Sequence, residues 1–228
     1  MSERITGISS MATRALLADL ARAYEQRSGV AVMIESVGGV DAAKRVQAGE
    51  SFDVVFLASD AIDRLIAAGH AVGARIDLVR SPVAIAARQG APKPDVSSEV
   101  ALKAAVLAAR RISYSTGPSG VHLAKLFDRW GIGADIAPRV VQAPPGVPVG
   151  SLVARGDVDL GFQQLSELMN LQGIEVLGCL PGETQFITTF SAGLCATSKQ
   201  AGAVRAMLAF MNSSEAAEAK RRHGMEPA

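Results

Sequence analysis

The chemistry this chain offers starts with a cation in an unusual place. Residues 4 to 25, RITGISSMATRALLADLARAYE, run a short apolar strand through a Ser-rich turn directly into an amphipathic helix. Unpaired backbone N–H groups then point at whatever sits above the turn, which is the general form of an anion site. Arg14 falls in the first turn of that helix, with Leu17, Ala21 and Tyr24 following at helical spacing, so the periodicity puts it on the core-facing stripe. A cation there opposes the helix dipole by a few tenths of a kcal/mol and calls for a compensating anion. That anion is a bound ligand, or Asp41 or Asp60 in an internal ion pair, or the side chain reaches back to water. Other chemistries are missing from the sequence: it holds no metal-ligand spacing, no nucleophile elbow and no phosphate loop.

The elements that must position such a site are legible as an alternation. Strand-like runs at Ile5–Ile8, Val30–Glu35 and Val54–Leu57 are separated by helical stretches to Arg27, from Asp41 to Ala48 and from Ile62 to Ala68. This is the βαβ pattern of a sheet covered by helices on both faces, and Gly29, Gly49 and Gly69 stand where left-handed helix caps are wanted. A long extended run, Ile76–Ala87, then a Pro-rich loop at Ala91–Pro94, reads as a strand crossing into a second lobe. That lobe repeats the scheme with a helix over Ser98–Ala109, a strand at Arg111–Ser115, a helix from Val121 to Trp130, a strand at Val140–Val141, a helix from Val149 to Arg155 and a strand at Leu160–Phe162. Gln185–Ala196 crosses back, and the helices between Ala201 and Arg222 complete the first lobe. The expected fold is α/β in two lobes, 1–80 with 190–228 and 81–189. Each is a mixed, mostly parallel sheet flanked by helices, with two crossing strands as a hinge and a ligand cleft between the lobes.

Composition narrows the function classes. The 228 residues are 49% hydrophobic with a formal net charge of +1, enough for real cores and without a basic face for nucleic acid. The one basic cluster, Lys220 to His223, closes a helix at the end where cations are favourable, so it reads as structural. Cys179 and Cys195 have no C-x-x-C partner; buried free thiols fit them better than a disulfide. No stretch reaches the roughly 18 apolar residues needed to span a bilayer, so no membrane insertion is expected. The N-terminus shows no leader as written, which places the chain in the cytoplasm, or in the periplasm if a leader has been removed.

Five segments in register carry a family likeness: ITGISSMATRALLADLARAYEQRSGV, SVGGVDAAKRVQAGESFDVVFLAS, STGPSGVHLAKLFDRWGI, LVARGDVDLGFQQLSEL and AEAKRRHGMEPA. Together they resemble the molybdate-binding receptors of the type II periplasmic binding protein class over essentially the whole chain. The most specific pieces are Q-A-G-x-x-x-D-V at Gln47–Val54, G-P-S-G at Gly117–Gly120 and R-G-D-V-D-L-G-F at Arg155–Phe162.

The resemblance implies an oxyanion held by two serine hydroxyls, adjacent backbone N–H groups and a tyrosine hydroxyl. The two serine positions fall on Ala12 and Gly39, the tyrosine on Gln164, and two further positions on Ser119 and Gly146. A hydrogen bond to a charged group is worth about 1.5–3 kcal/mol, so losing two serines weakens a compact oxyanion by roughly two to four powers of ten. The expected ligand set is Ser9, Ser10, Ala12, Arg14, Gly38, Gly39, Ser115, Ser119, Gly146, Gln163 and Gln164. With its larger pocket, its arginine and its amides, this set suits a small organic di- or tricarboxylate better than molybdate. Ser119 is equally readable as a helix cap, and the glutamines as a solvated strand end.

The resemblance also reaches a branch acting as aconitate isomerases, which move a double bond by proton abstraction and return. The candidate bases are His122, then Tyr114, then Glu35, each with a plainer reading: a packed helix residue, a strand-end aromatic, and a partner for Lys44. Either activity needs no cofactor and no metal. The expected partner is a small anionic ligand, with an ABC permease if the chain is exported.

Overall fold

The computed structural model describes residues 4–144 and 146–228; residues 1–3, on which the leader reading turns, lie outside that range. By its internal contacts the chain divides into two units, Met1–Ser81 with Thr189–Ala228, and Pro82–Thr188.

In unit 1, β1 (Arg4–Ser10) leads through a 3-10 turn, Met11–Thr13, into α1 (Arg14–Ser28). There follow β2 (Ala31–Val37), α2 (Gly39–Gln47), β3 (Val54–Ala58), α3 (Ser59–Ala67) and the long β4 (Ala71–Arg88). β1 pairs in parallel with β2 and β3, and the left-handed conformation at Gly29 (φ 74°) ends α1 as the glycine there predicts. The apolar run of β3 is continuous because both of its faces are covered. Val54 and Phe56 pack on one side with Leu16, Leu17 and Leu20 of α1, while Val55 and Leu57 pack on the other with Val46, Ile62 and Leu65 of α2 and α3. The aspartate of the Q-A-G-x-x-x-D-V segment serves the fold. Asp53 accepts from Thr6 N (2.9 Å), Thr6 Oγ1 (3.0 Å) and Ser198 Oγ (2.7 Å), tying three segments of this unit together.

β4 carries the chain into unit 2, where α4 (Glu99–Ala108), β5 (Ile112–Tyr114), α5 (Pro118–Arg129) and the short α6 (Gly133–Ile136) follow. Then come α7 (Val149–Arg155), β6 (Leu160–Gln164), α8 (Leu165–Leu168) and β7 (Ile174–Cys179). β4 lies between β6 and β7, antiparallel to both, and β5 runs parallel to β6. Alternation along β4 divides the core: Val83 and Ile85 face Leu102, Leu123 and Phe127, whereas Ala84 and Ala86 face Leu168. The strand expected at Val140–Val141 reduces to a single bridge between Val140 and Ile112.

β8 (Ile187–Cys195) returns the chain to unit 1, lying antiparallel to β3, and α9 (Ala201–Met211), α10 (Ala217–Arg222) and β9 (Glu226–Pro227) complete it. The basic cluster is structural, as its position at a helix end suggests. Lys220 is buried and donates to Leu78 O (2.9 Å) and Asn212 Oδ1 (3.0 Å), and Arg221 and Arg222 pair with Glu226 and Glu218. Cys195 is buried and Cys179 half-buried, both as free thiols. Among the described residues no helix is long and apolar enough to cross a membrane.

Candidate functional site

In unit 1, β2 and β3 run almost at once into helices, and β1 does so through the 3-10 turn. The N-cap positions of α1, α2 and α3 are Thr13, Gly38 and Ala58, and none of them places a side chain on the helix's free N–H groups. Those donors stay available to an anion. At the end of β1, Ser9 Oγ lies 2.8 Å from Ser36 Oγ, Thr13 Oγ1 donates to Ser10 O (3.2 Å), and Ser10 Oγ is sealed without a partner. A Cβ on Gly39 would lie 3.5 Å from Ser10 Cβ, so α2 starts against this turn, and Ala12 at 9% exposure is part of its floor.

Arg14 differs from the expectation. It does not lie on the core-facing stripe: as the first residue of α1, it precedes the turn that Leu16 and Leu17 bury, and its side chain is exposed. The internal ion pairs considered for it do not form either. Asp60 is taken by Arg64 (2.8 Å), and no described residue pairs with Arg14. Of the three readings, the side chain reaching water from the first turn of α1 is the one that its exposure fits.

In unit 2, candidate residues gather at the start of α5. Its N-cap is Gly117, not Ser119, and the helix begins at Pro118, three residues earlier than its apolar period suggests. Ser119 is buried with its Oγ 3.1 Å from Ser115 Oγ, which also accepts from Gly117 N (3.3 Å). Gly120 is obligatory, because a Cβ there would lie 1.6 Å from Ser115 O. Gly146 adopts a left-handed φ of 76° in an exposed turn before α7.

The two glutamines at the end of β6 are not a solvated strand end. Both are buried, and adjacent strand positions send them to opposite faces. Gln164 Nε2 donates to Thr188 Oγ1 (2.7 Å), leaving its Oε1 sealed and unpartnered. Gln163 Oε1 accepts from Val149 N (2.9 Å) and its Nε2 donates to Glu167 Oε1 (2.7 Å), so this amide is fully used inside the protein.

Of the three candidate bases, none is simply presented. His122 Nε2 lies 3.0 Å from Thr184 O, and the ring stacks on Phe186 at 4.6 Å. A carbonyl only accepts, so Nε2 is the donor in this contact. Tyr114 packs against Phe127, where burial and the charge of Asp128 raise its pKa. Glu35 pairs with Arg45 rather than Lys44, and that guanidinium lowers its pKa. The group that sequence reasoning passed over is Glu167, whose carboxyl burial pushes up to about 7.

Known proteins share the sequence pattern and the fold of this chain. The family model for the bacterial extracellular solute-binding protein matches residues 5–226. An aconitate isomerase from a Pseudomonas species is 37% identical over 230 residues, covering 98% of this chain and 87% of that protein. Among solved structures, the periplasmic molybdate-binding protein of Azotobacter vinelandii superposes with a TM-score of 0.81 at 19% identity, over 97% of this chain and 98% of that one. A tungstate ABC transporter protein from Geobacter sulfurreducens gives 0.74 at 17% identity, over 95% and 97%. The fold is therefore that of the two-lobed periplasmic binding proteins. With a match that runs nearly from end to end, this chain belongs to the bacterial extracellular solute-binding protein family.

Proposed function

We propose that this protein binds an aconitate-like tricarboxylate and shifts its double bond without a cofactor. The observation carrying this reading is the 37% identity to an aconitate isomerase over 98% of the chain, far above the 19% shared with the molybdate-binding protein. The residues support it. Ala12, Gly39 and Gln164 stand where the resemblance expects the hydroxyls that grip a compact oxyanion, while an arginine and free helix N–H groups suit flat carboxylates. Chemically the reaction needs an anion clamp and one base, because the carbanion formed next to a conjugated carboxylate is stabilised through it.

The second reading is a receptor that binds a small anion and does no chemistry, with a permease as partner. The family itself favours it. One experiment separates the two: incubate the protein with trans-aconitate, following the isomers by proton NMR, beside a thermal-shift panel of aconitate, citrate, molybdate, tungstate and sulfate. The isomerase reading expects turnover together with a melting shift for aconitate; a ligand at one hundred times its Kd adds about 2.7 kcal/mol. Stabilisation by aconitate without turnover supports the receptor. Tight binding of molybdate or tungstate with no response to the carboxylates overturns the carboxylate specificity itself.

A further inference from the structure

Glu167 has no part in binding as described so far. It lies on α8, three residues beyond Gln164, within unit 2. Its Oε1 accepts from Gln163 Nε2 at 2.7 Å, and Gln163 Oε1 in turn accepts from Val149 N at 2.9 Å. A backbone N–H can only donate, so the amide cannot flip: its oxygen belongs to Val149 and its NH2 must face the carboxyl. The second carboxyl oxygen, Oε2, accepts nothing from a described residue and is not among the sealed polar atoms, so it keeps access to solvent.

Among the described residues, no charged side chain pairs with this carboxyl. The elements packed on α8 are α7, β6, β7 and, within unit 2, β4, and they bring Arg88, Arg155, Glu175 and Cys179. Arg155 is paired with Asp157 and Glu175 with Lys93, while Cys179 is a thiol whose pKa burial raises. Glu167 is thus desolvated, held by one neutral amide, and open at one oxygen. Burial lifts its pKa to about 7 against the opposing pull of Gln163, whereas every other described carboxyl with a displaced pKa is displaced downward. Such a carboxyl passes between its acid and base forms near neutral pH, which suits proton exchange with carbon.

Resting on the isomerase reading above, we propose that Glu167 is the carboxylate that carries the proton in the double-bond shift, with Gln163 as its positioning residue. Oε2 takes a proton from the substrate's methylene carbon, and the electrons of that C–H bond form the new C=C bond. The electrons of the old C=C bond move to its far carbon and into the conjugated carboxylate, and Oε2, whose proton exchanges with solvent between the two transfers, protonates that carbon. No leaving group departs, nothing is oxidised or reduced, and Glu167 ends as it began. His122, held by Thr184 and Phe186, keeps a packing role in this assignment.

The test uses the full chain with aconitate in D2O, followed by NMR, together with aconitate thermal shifts. Wild type should exchange deuterium into aconitate as it interconverts the isomers. Glu167→Gln should lose turnover and exchange by about a hundredfold or more while keeping the aconitate thermal shift. Glu167→Asp, which keeps the carboxylate should the amide variant fold poorly, should regain part of the rate. Gln163→Met should move the alkaline-rising limb of the rate to higher pH, because the donor that favours the charged carboxyl is gone; a merely structural role would leave that limb in place. Glu167→Gln turning over within threefold of wild type overturns the base assignment and leaves the isomerase reading standing. Wild type that binds aconitate and never exchanges overturns both.

Discussion

Gly120→Ala should destabilise the protein by about 3–5 kcal/mol, since a methyl group forced onto immovable backbone exceeds the usual overpacking cost of about 1–3 kcal/mol. The added Cβ would lie 1.6 Å from the carbonyl oxygen of Ser115 and 2.8 Å from its carbon. No rotamer change relieves this, because both atoms are main chain. The only escape is to pull α5 away from the end of β5, which also breaks the Ser115–Ser119 hydroxyl contact and the bond from Gly117 N to Ser115 Oγ. Total stabilities run at about 5–15 kcal/mol, so a large part of the fold's margin is at stake. Urea unfolding measures it as a lower midpoint at unchanged slope. Gly202→Ala is the matched control: nothing stands within 4 Å of its Cβ, and it lies in α9, where alanine gains about 1 kcal/mol over glycine. Equal midpoints for Gly120→Ala and wild type would mean that α5 does not start as described.

Arg14→Ala should weaken aconitate binding by about 1.5–3 kcal/mol, the worth of a charge-assisted hydrogen bond, or roughly ten- to hundredfold in Kd. The side chain is exposed and unpaired among the described residues, so its removal disturbs no internal contact. In the free protein the change works the other way, because taking a cation from a helix N-terminus relieves a few tenths of a kcal/mol. The two effects separate cleanly: calorimetry should show the lost affinity while the ligand-free melting temperature stays level or rises. The dependence of affinity on salt should also flatten, since an exposed charge pair is screened over about 10 Å at 0.1 M. An unchanged Kd would remove the arginine from the site.

Most of the architecture is written in periodicity and caps. α7 occupies Val149–Arg155 as its pattern specifies, and Gly29 caps α1 with a positive φ. What escaped has physical causes. β7 is half-buried at every position, so it shows no alternation to detect, and α6 and α8 are four residues long, barely one turn. The start of α5 was hidden because Pro118, Ser119 and Gly120 look like a loop until the backbone contact with Ser115 is seen. At the site, residue types were readable but their allegiances were not. Gln163 looked like a ligand donor and is instead spent on Val149 and Glu167, and Glu35 chose Arg45 over its neighbour. Glu167 could not be picked out by spacing, since its desolvation comes from the packing of α8 on β6, β7 and α7.

The threading of the chain bears on how it is made. Unit 2 is one unbroken stretch, Pro82–Thr188, whereas unit 1 is assembled from both ends. A ribosome therefore delivers every strand and helix of the inner unit before it supplies β8, the antiparallel partner that β3 awaits between Val54 and Leu194. Pairings so distant in sequence form late and leave sheet edges bare in the interval. The margin of β3 therefore has no partner from β8 until the last forty or so residues emerge, and an unpaired strand edge is open to wrong pairing.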